Sequence, residues 1–347
     1  THGIMKIAIH ERKGSFSDKW IEHCQENNIE YKLVNCYNSD IIEQLSDCDG
    51  LMWHWDLTDY KAALFAKQLT ISLEKKGLKV FPSTATSWHY DDKVGQKYLL
   101  EAINAPLVPT HVFYSKSEAL QWIEKSEFPL VFKLRGGASA INVKLVKNIS
   151  QAKKLIRRAF GKGFASKNRS EKIKSRIINL KKNTNSENFM ALTKSILRLI
   201  IPSEVEKFSS KQKGYIYFQD FIPNNDYDNR VVVMRDKCYA VRRYNRENDF
   251  RASGSGNWAF EKELFDLKAI KLALEVARKL NTQSVAFDII RDGDEFKIVE
   301  MSYCWTVGGL NRTQGYWDFD LNWYAKEVTS QAFMVEDFIK EIENNQN

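Results

Sequence analysis

Phe287 to Ser302 reads FDIIRDGDEFKIVEMS, and the fold turns on where its two outer acids are placed. Ile289, Ile290, Phe296, Ile298 and Val299 require a core, and DGD in the middle supplies a tight turn. The stretch therefore predicts two antiparallel strands. With the turn centred on Asp294, residues whose numbers sum to 588 face one another, as Asp288 and Glu300 do. That register puts both carboxylates on one face, with Cβ atoms roughly 5 Å apart. Like charges so placed repel unless something compensates, and a hard divalent cation that takes oxygen ligands is one such compensation. The alternative is a slipped register with one carboxylate in solvent.

A chain of 347 residues has room for two or three domains, each with its own core. At 43% hydrophobic and 28% charged it reads as globular rather than disordered. No apolar run approaches the roughly 18–20 residues of a membrane span, and no signal-peptide pattern opens the sequence. THGI before Met5 is set apart, because MKIAIH is a natural start for a first strand. The five cysteines (Cys24, Cys36, Cys48, Cys238, Cys304) include no CxxC pair, which predicts reduced, buried thiols in a cytoplasmic protein. The net charge of +8 is uneven: Gly161–Gly214 holds 13 Lys/Arg against 4 Asp/Glu, leaving 39 against 40 elsewhere. The basic character belongs to one segment.

Outward from the hairpin, the chain divides into three regions. Residues 1–86 alternate strand and helix: MKIAIH, IEYKLVN, DGLMWHW and LKVFPS as strands, SDKWIEHCQEN and DYKAALFAKQLTISLEKKG as helices, the latter stopped by Gly77. HERKGS after the first strand lacks GxGxxG, so no dinucleotide site is expected there. Residues 87–213 bring a helix at DDKVGQKYLLEAIN, the strand–loop–strand FPLVFKLRGGASAINVKLVKN, and a basic helical insert at about 161–213. In that insert, FMALTKSILRLIIPSEVEKF gathers Leu192, Ile196, Leu199 and Ile200 on one face. Residues 214–347 bring the strand GYIYFQDFIPNND, a hairpin turning at RDKC, the loop FRASGSGN, an amphipathic helix, the opening hairpin, and a helix expected over Phe319–Ile342.

Several residues suit phosphate chemistry. Lys133 ends an apolar strand, and backbone N–H groups of Gly136 to Ser139 can approach phosphate oxygens; the alternative is a lysine snorkelling at a sheet edge. Lys93 opens a helix after HYDD. FQDFI ends a strand, as an adenine-contacting hinge or an ordinary strand exit. Arg230, Arg242, Arg243, Arg246 and Arg251 cluster in sequence; cations converging on two acids would suit polyphosphate transfer, the alternative being a solvated basic edge. His54 and His89 sit in aromatic contexts, as cleft-lining or structural residues.

The order of these signals is specific. A helix-start lysine, P-x-V-x-K with a glycine loop, Q-D-F-I, D-x-R, F-R-x-S, then Asp and Glu twelve residues apart resembles the ATP-grasp superfamily, nearest to its RimK-type and glutathione-synthetase-like carboxylate–amine ligases. The resemblance covers about residues 87–310. It implies an α/β chain: an N-terminal pre-ATP-grasp, Rossmann-like domain followed by an ATP-grasp fold of two α+β subdomains. It implies that Lys93 and Lys133 hold the α- and β-phosphates of ATP beneath a lid at Gly136, Gly137 and Ser139. Gln219, Asp220, Phe221 and Ile222 would contact adenine, and Asp228 the ribose region, with Arg243 on the nucleotide side. Arg230 would act on the acceptor or phosphate side, and Arg251 on the γ-phosphoryl group. Asp288, Glu300 and Ser302 would bind Mg2+, as two ions for which Mn2+ can substitute. The implied reaction joins a small-molecule carboxylate to an amine through an acyl phosphate; the alternatives are a kinase acting on a hydroxyl and a non-catalytic ATP-binding module. Three departures stand out: Ser302 in place of the usual Asn, only two glycines in the lid, and ASGSGN after the F-R motif. The basic insert at 161–213 is open to an anionic partner or surface, or is simply a solvated face. The sequence leaves the oligomeric state open.

Overall fold

The computed structural model describes residues 4–137, 142–166, 169–200, 206, 209–327 and 329–346. The chain forms two compact units, Thr1–Tyr90 with Gly95–Leu107 and Pro223–Asn347, and Asp91–Val94 with Val108–Ile222.

In the first unit, strands β1 (Ile7–His10), β2 (Tyr31–Val34), β3 (Gly50–Met52) and β4 (Lys79–Phe81) form a parallel sheet in the order β2-β1-β3-β4. Parallel neighbours need crossovers, and α1 (Ser17–Glu26), the short α2 (Ile41–Gln44) and α3 (Ala62–Lys75) supply them. Gly77, at φ +91°, follows the end of α3 in the left-handed region, as the sequence predicts. The sheet buries both faces, one against Trp20 and Cys24 of α1, the other against Ala66, Leu69 and Leu73 of α3.

The same unit holds a second, antiparallel sheet. Its centre is β9 (Tyr227–Met234), β10 (Lys237–Tyr244), β12 (Ser284–Asp292) and β13 (Glu295–Ser302), in the order β13-β12-β9-β10. Short strands β11 (Trp258–Ala259), β14 (Tyr316–Trp317) and β15 (Trp323–Tyr324) extend it. Side chains alternate between the faces. Val231, Val233, Phe287 and Met301 pack against the helix Leu267–Leu280 through Ile270, Ala273 and Leu274. From the other face, Val232, Met234, Tyr239 and Val241 enter one core with Ile7, Ile9, Trp20 and Phe81. That core also takes Met334, Val335 and Phe338 from the C-terminal helix, Ser330–Gln346. A Cβ at Gly50 would stand 2.7 Å from the Phe338 ring, so β3 admits this helix only as glycine.

That helix corrects the expectation of helix from Phe319. Among the described residues of 319–329 there is no helix; the aromatic run forms β14 and β15 instead, around a turn in which the Asp318 carboxylate accepts the N–H groups of Asp320 (3.0 Å) and Asn322 (2.9 Å).

The second unit is built on an antiparallel sheet in the order β5 (Thr110–Phe113), β8 (Ile216–Asp220), β6 (Leu130–Lys133), β7 (Lys144–Val146). Helices Lys116–Ile123 and Ile149–Ala159 cover one face through Ala119, Ile123, Ala152 and Ile156. Thus β8, which the sequence places at the start of the C-terminal region, pairs with β5 and β6. Beyond these elements lie two helices packed on each other, α8 (Arg169–Lys182) and α9 (Ser186–Ile200). Among the described residues no helix is long and apolar enough to cross a membrane. All five cysteines are buried free thiols.

Candidate active site

Strand pairing in the first unit assembles a row of charges. Asp288 faces Glu300 on one side and Arg230 on the other, and Asp228, two residues from Arg230, faces Arg243. Directly opposed residues share a face, so all five lie on the face opposite the helix Leu267–Leu280. Arg230 grips Asp288 with two bonds (Nε–Oδ1 2.9 Å, Nη2–Oδ2 3.1 Å). Arg243 grips Asp228 in the same way (2.8 and 2.6 Å) and reaches Asp288 Oδ2 at 3.0 Å. Burial opposes ionisation of Asp288, but the two guanidiniums hold its carboxyl well below the usual range. Burial, and then the Asp288 charge, push Asp228 upward despite Arg243.

The expected register is present, by a route the sequence did not disclose. The tip pairs Asp292 with Glu295 and Ile289 with Ile298, around a two-residue turn at Gly293–Asp294. A β-bulge between Asp288 and Ile289, with Val299 as the extra residue, then shifts the ladder by one. Ile298 therefore faces the helix core while Glu300, two residues on, faces the acids.

Ser302 lies beyond Glu300 and pairs with Ala286; its Oγ donates to the Cys304 carbonyl (2.7 Å). Of the other arginines, Arg242 lies on the opposite face, stacked over Tyr227 (3.7 Å) and donating to the Leu264 carbonyl (2.6 Å). Arg246 holds the Ser253 carbonyl (2.8 Å), and Arg251 bonds the Asp249 carboxylate (Nη2–Oδ2 2.7 Å). Strand alternation thus separates Arg242 from Arg230 and Arg243, which join the acids, while Arg246 and Arg251 lie in the loop beyond β10.

In the second unit, Lys133 at the end of β6 is 5% exposed and donates to Gln219 Oε1 on β8 (2.8 Å). Gln219 in turn donates to Thr110 Oγ1 (3.1 Å). Lys93, also buried, donates to the Gly137 carbonyl (2.9 Å). Asp91 and Asp92, which the sequence reading passed over within HYDD, anchor the glycine loop. Asp91 accepts the Gly137 N–H (2.6 Å), and Asp92 takes both arms of Arg135 (2.9 and 2.8 Å). Gly137 has φ +118°, which requires glycine, and a Cβ at Gly136 would press on Asp91 Oδ2 at 3.1 Å. Ser139 lies outside the described residues. Asp220, Phe221 and Ile222 are part-buried at the end of β8, where Asp220 meets His111 Nε2 at 3.0 Å.

A third cluster lies at the carboxyl ends of β1 and β3, the neighbouring strands at which the order of the parallel sheet reverses. That is the position where open α/β sheets bind ligands. Arg12 donates to Asp56 Oδ2 (3.1 Å), to the His54 carbonyl (2.9 Å) and to Thr58 (3.0 Å). His54 Nδ1 accepts the Phe16 N–H (2.9 Å), so the neutral ring carries its proton on Nε2, 3.6 Å from Asp56. Burial pushes this imidazole down to about 4, against the pull of Asp56. Arg12 and Asp56 escaped the sequence reading because neither sits in a motif.

Residues 181–320 match the RimK-like ATP-grasp domain. The whole chain superposes on a RimK domain protein from Sphaerobacter thermophilus with TM-score 0.55 at 15% identity, covering 96% of this chain and 99% of that one. The chain has the ATP-grasp fold. Its fold is likewise similar to D-alanine–D-alanine ligase from Bacillus anthracis (TM-score 0.54, 12% identity, 98% and 99% covered). It is also similar to the ATP-grasp ligase PsnB, in a complex with a minimal precursor, Mg and ADP (TM-score 0.55, 10% identity, 99% and 100% covered). No curated protein matches the sequence.

The paired acids suit magnesium in one respect. Among the described residues no three His, Cys, Asp or Glu side chains form a cluster able to hold a metal unaided. Asp288 and Glu300 do stand side by side, and magnesium is commonly held by one or two carboxylates together with nucleotide phosphates and water. The donor set fits an ion that arrives with its nucleotide.

Proposed function

We propose that this chain is an ATP-dependent carboxylate–amine ligase, which phosphorylates an acid at the expense of ATP and lets an amine displace the phosphate. The observation that carries this reading is the row Glu300–Asp288–Arg230 with Arg243–Asp228, three acids and two guanidiniums preorganised on one sheet face. Magnesium bound there, with Asp288 and Glu300 as ligands and Ser302 beside them, would neutralise charge on the β- and γ-phosphoryl oxygens. Arg230 stabilises negative charge developing on the transferring group, and Arg243 keeps Asp288 and Asp228 oriented. Arg251 serves the γ-phosphoryl group and the acyl phosphate, its loop held in shape by Asp249.

In the second unit, Lys93 and Lys133 bind the α- and β-phosphates, beside a glycine loop whose Gly136 and Gly137 N–H groups are held by Gln212 (3.2 Å) and Asp91 (2.6 Å). Gln219 positions Lys133, and Asp220, Phe221 and Ile222 receive the adenine. Closure of the loop over the nucleotide would keep water from the acyl phosphate. The buried thiols suit a reducing, cytoplasmic setting.

The test is incubation with ATP, Mg2+ and a panel of carboxylic acids, with and without amines. ADP release that depends on the acid, with hydroxylamine capturing a hydroxamate, is the expected result. A stable phosphoester formed without any amine would identify a kinase instead.

A further inference from the structure

The helical pair at 169–200 takes no part in that chemistry, and its surface is inverted. At about 100° per residue, Phe189, Met190, Thr193, Ile196 and Leu197 fall within one arc of about 120° on α9. A helix of a soluble domain turns such a stripe inward. Here Phe189 is 62% exposed, Met190 58%, Ile196 48% and Leu197 55%. The smaller or more polar Asn188, Ala191 and Ser195, with Leu192, take the inner side instead. Leu192 and Ile196 lie about 40° apart on α9, on one face as expected, with Ile196 the more exposed; the side chains of Leu199 and Ile200 lie outside the described residues. α8 adds exposed Ile177 and Ile178. Lys174, Lys181 and Lys182 on α8 and Lys194 on α9 are exposed as well.

Charge selects the occupant. The segment 161–214 carries 13 Lys/Arg against 4 Asp/Glu, so a second copy would bring like charge against like. An anionic partner is favoured. The apolar side chains stand outward from a helix instead of lining a groove, which suits insertion among acyl chains better than reception of a peptide.

We propose that the α8–α9 pair docks this protein on an anionic phospholipid surface, with Phe189, Met190, Ile196 and Leu197 entering the bilayer interface and the lysines at the headgroups. An apolar stripe flanked by lysines is the combination that lies on a membrane without crossing it. The inference stands independently of the ligase reading.

The test is co-sedimentation of the full chain with phosphatidylcholine vesicles, with or without phosphatidylglycerol. Binding should require phosphatidylglycerol and weaken as salt rises from about 0.1 M to about 0.5 M. The double variant Phe189→Ser/Leu197→Ser should lower vesicle affinity by at least roughly tenfold. A dye placed through Phe189→Cys, on a chain whose native thiols are buried, should blue-shift on vesicles and gives a readout should the double variant fold poorly. No binding to phosphatidylglycerol vesicles, or an unshifted dye, would overturn the proposal. So would capture of polyglutamate with vesicles ignored, or concentration-dependent dimerisation that the double variant abolishes.

Discussion

Two hairpins treat charge in opposite ways. In the strand hairpin Phe287–Ser302, Asp288 is buried and held by two guanidiniums, with Glu300 alongside it. In the helical pair at 169–200, Lys174, Lys181, Lys182 and Lys194 are exposed, and so are the apolar side chains Ile177, Ile178, Phe189, Met190, Ile196 and Leu197. Burying a charge costs several kcal/mol unless partners compensate, so a buried, oriented acid marks a place where the fold has given up stability for a fixed field. Exposing a large apolar stripe also costs free energy, recovered only when something covers it. The first hairpin has its compensation within the chain; the second does not among the described residues.

The sharpest way to break this comparison is at Asp288. Asp288→Asn strands the charge of Arg230, leaves Arg243 with Asp228 alone, and should destabilise the first unit by about 3–5 kcal/mol. Nucleotide-dependent turnover should fall on the order of 10²–10³-fold. Thermal melting and ADP release check the two effects, and Glu300→Gln should reproduce the second with little of the first. Equal loss of stability in both variants would mean that the acids form a structural network only.

His54 carries the next effect. Its unfolded pKa is about 6.5 and its folded value about 4, so between those values the unfolded chain binds more protons. Stability is therefore intact above pH about 6.5 and is lost as pH falls toward 4, by at most about 3 kcal/mol. His54→Asn, whose Oδ1 can still accept the Phe16 N–H, should flatten the melting temperature between pH 7 and 5.

Lys133→Met should weaken nucleotide use by about 10²-fold while leaving the melting temperature within a few degrees, as ADP-release kinetics would show. Smallest of all, Phe189→Ser/Leu197→Ser should change folding stability by no more than about 0.5 kcal/mol, because nothing packs on those side chains within the described residues. A larger loss in denaturant melts would show that the stripe is buried after all.

The two hairpins were also unequally legible. Asp288 and Glu300 could be paired from numbering alone, yet the constant sum held only because a two-residue turn and a bulge offset one another. The alternation of strand and helix over residues 1–86 announced the parallel sheet, since period and turn residues are local properties. The sorting of Arg230 and Arg243 from Arg242 was hidden: strand parity is set by pairing with β12, a partner far along the chain. Asp91, Asp92, Arg12 and Asp56 were likewise invisible, because each acts through a contact that only the fold creates. The aromatic run after Phe319 misled because its apolar spacing admits a helix as readily as the short strands it forms.

Val299 has one more consequence. If it were deleted, the ladder would close with Ile289 still opposite Ile298 and Asp288 still opposite Glu300. Its contribution is not the identity of any pair but an angle: the surplus residue bends β13 and tightens the local twist where the two acids meet. The aim of Glu300 is set by a valine that has no chemistry of its own, and a sequence can lose that aim while keeping every acid and arginine in place.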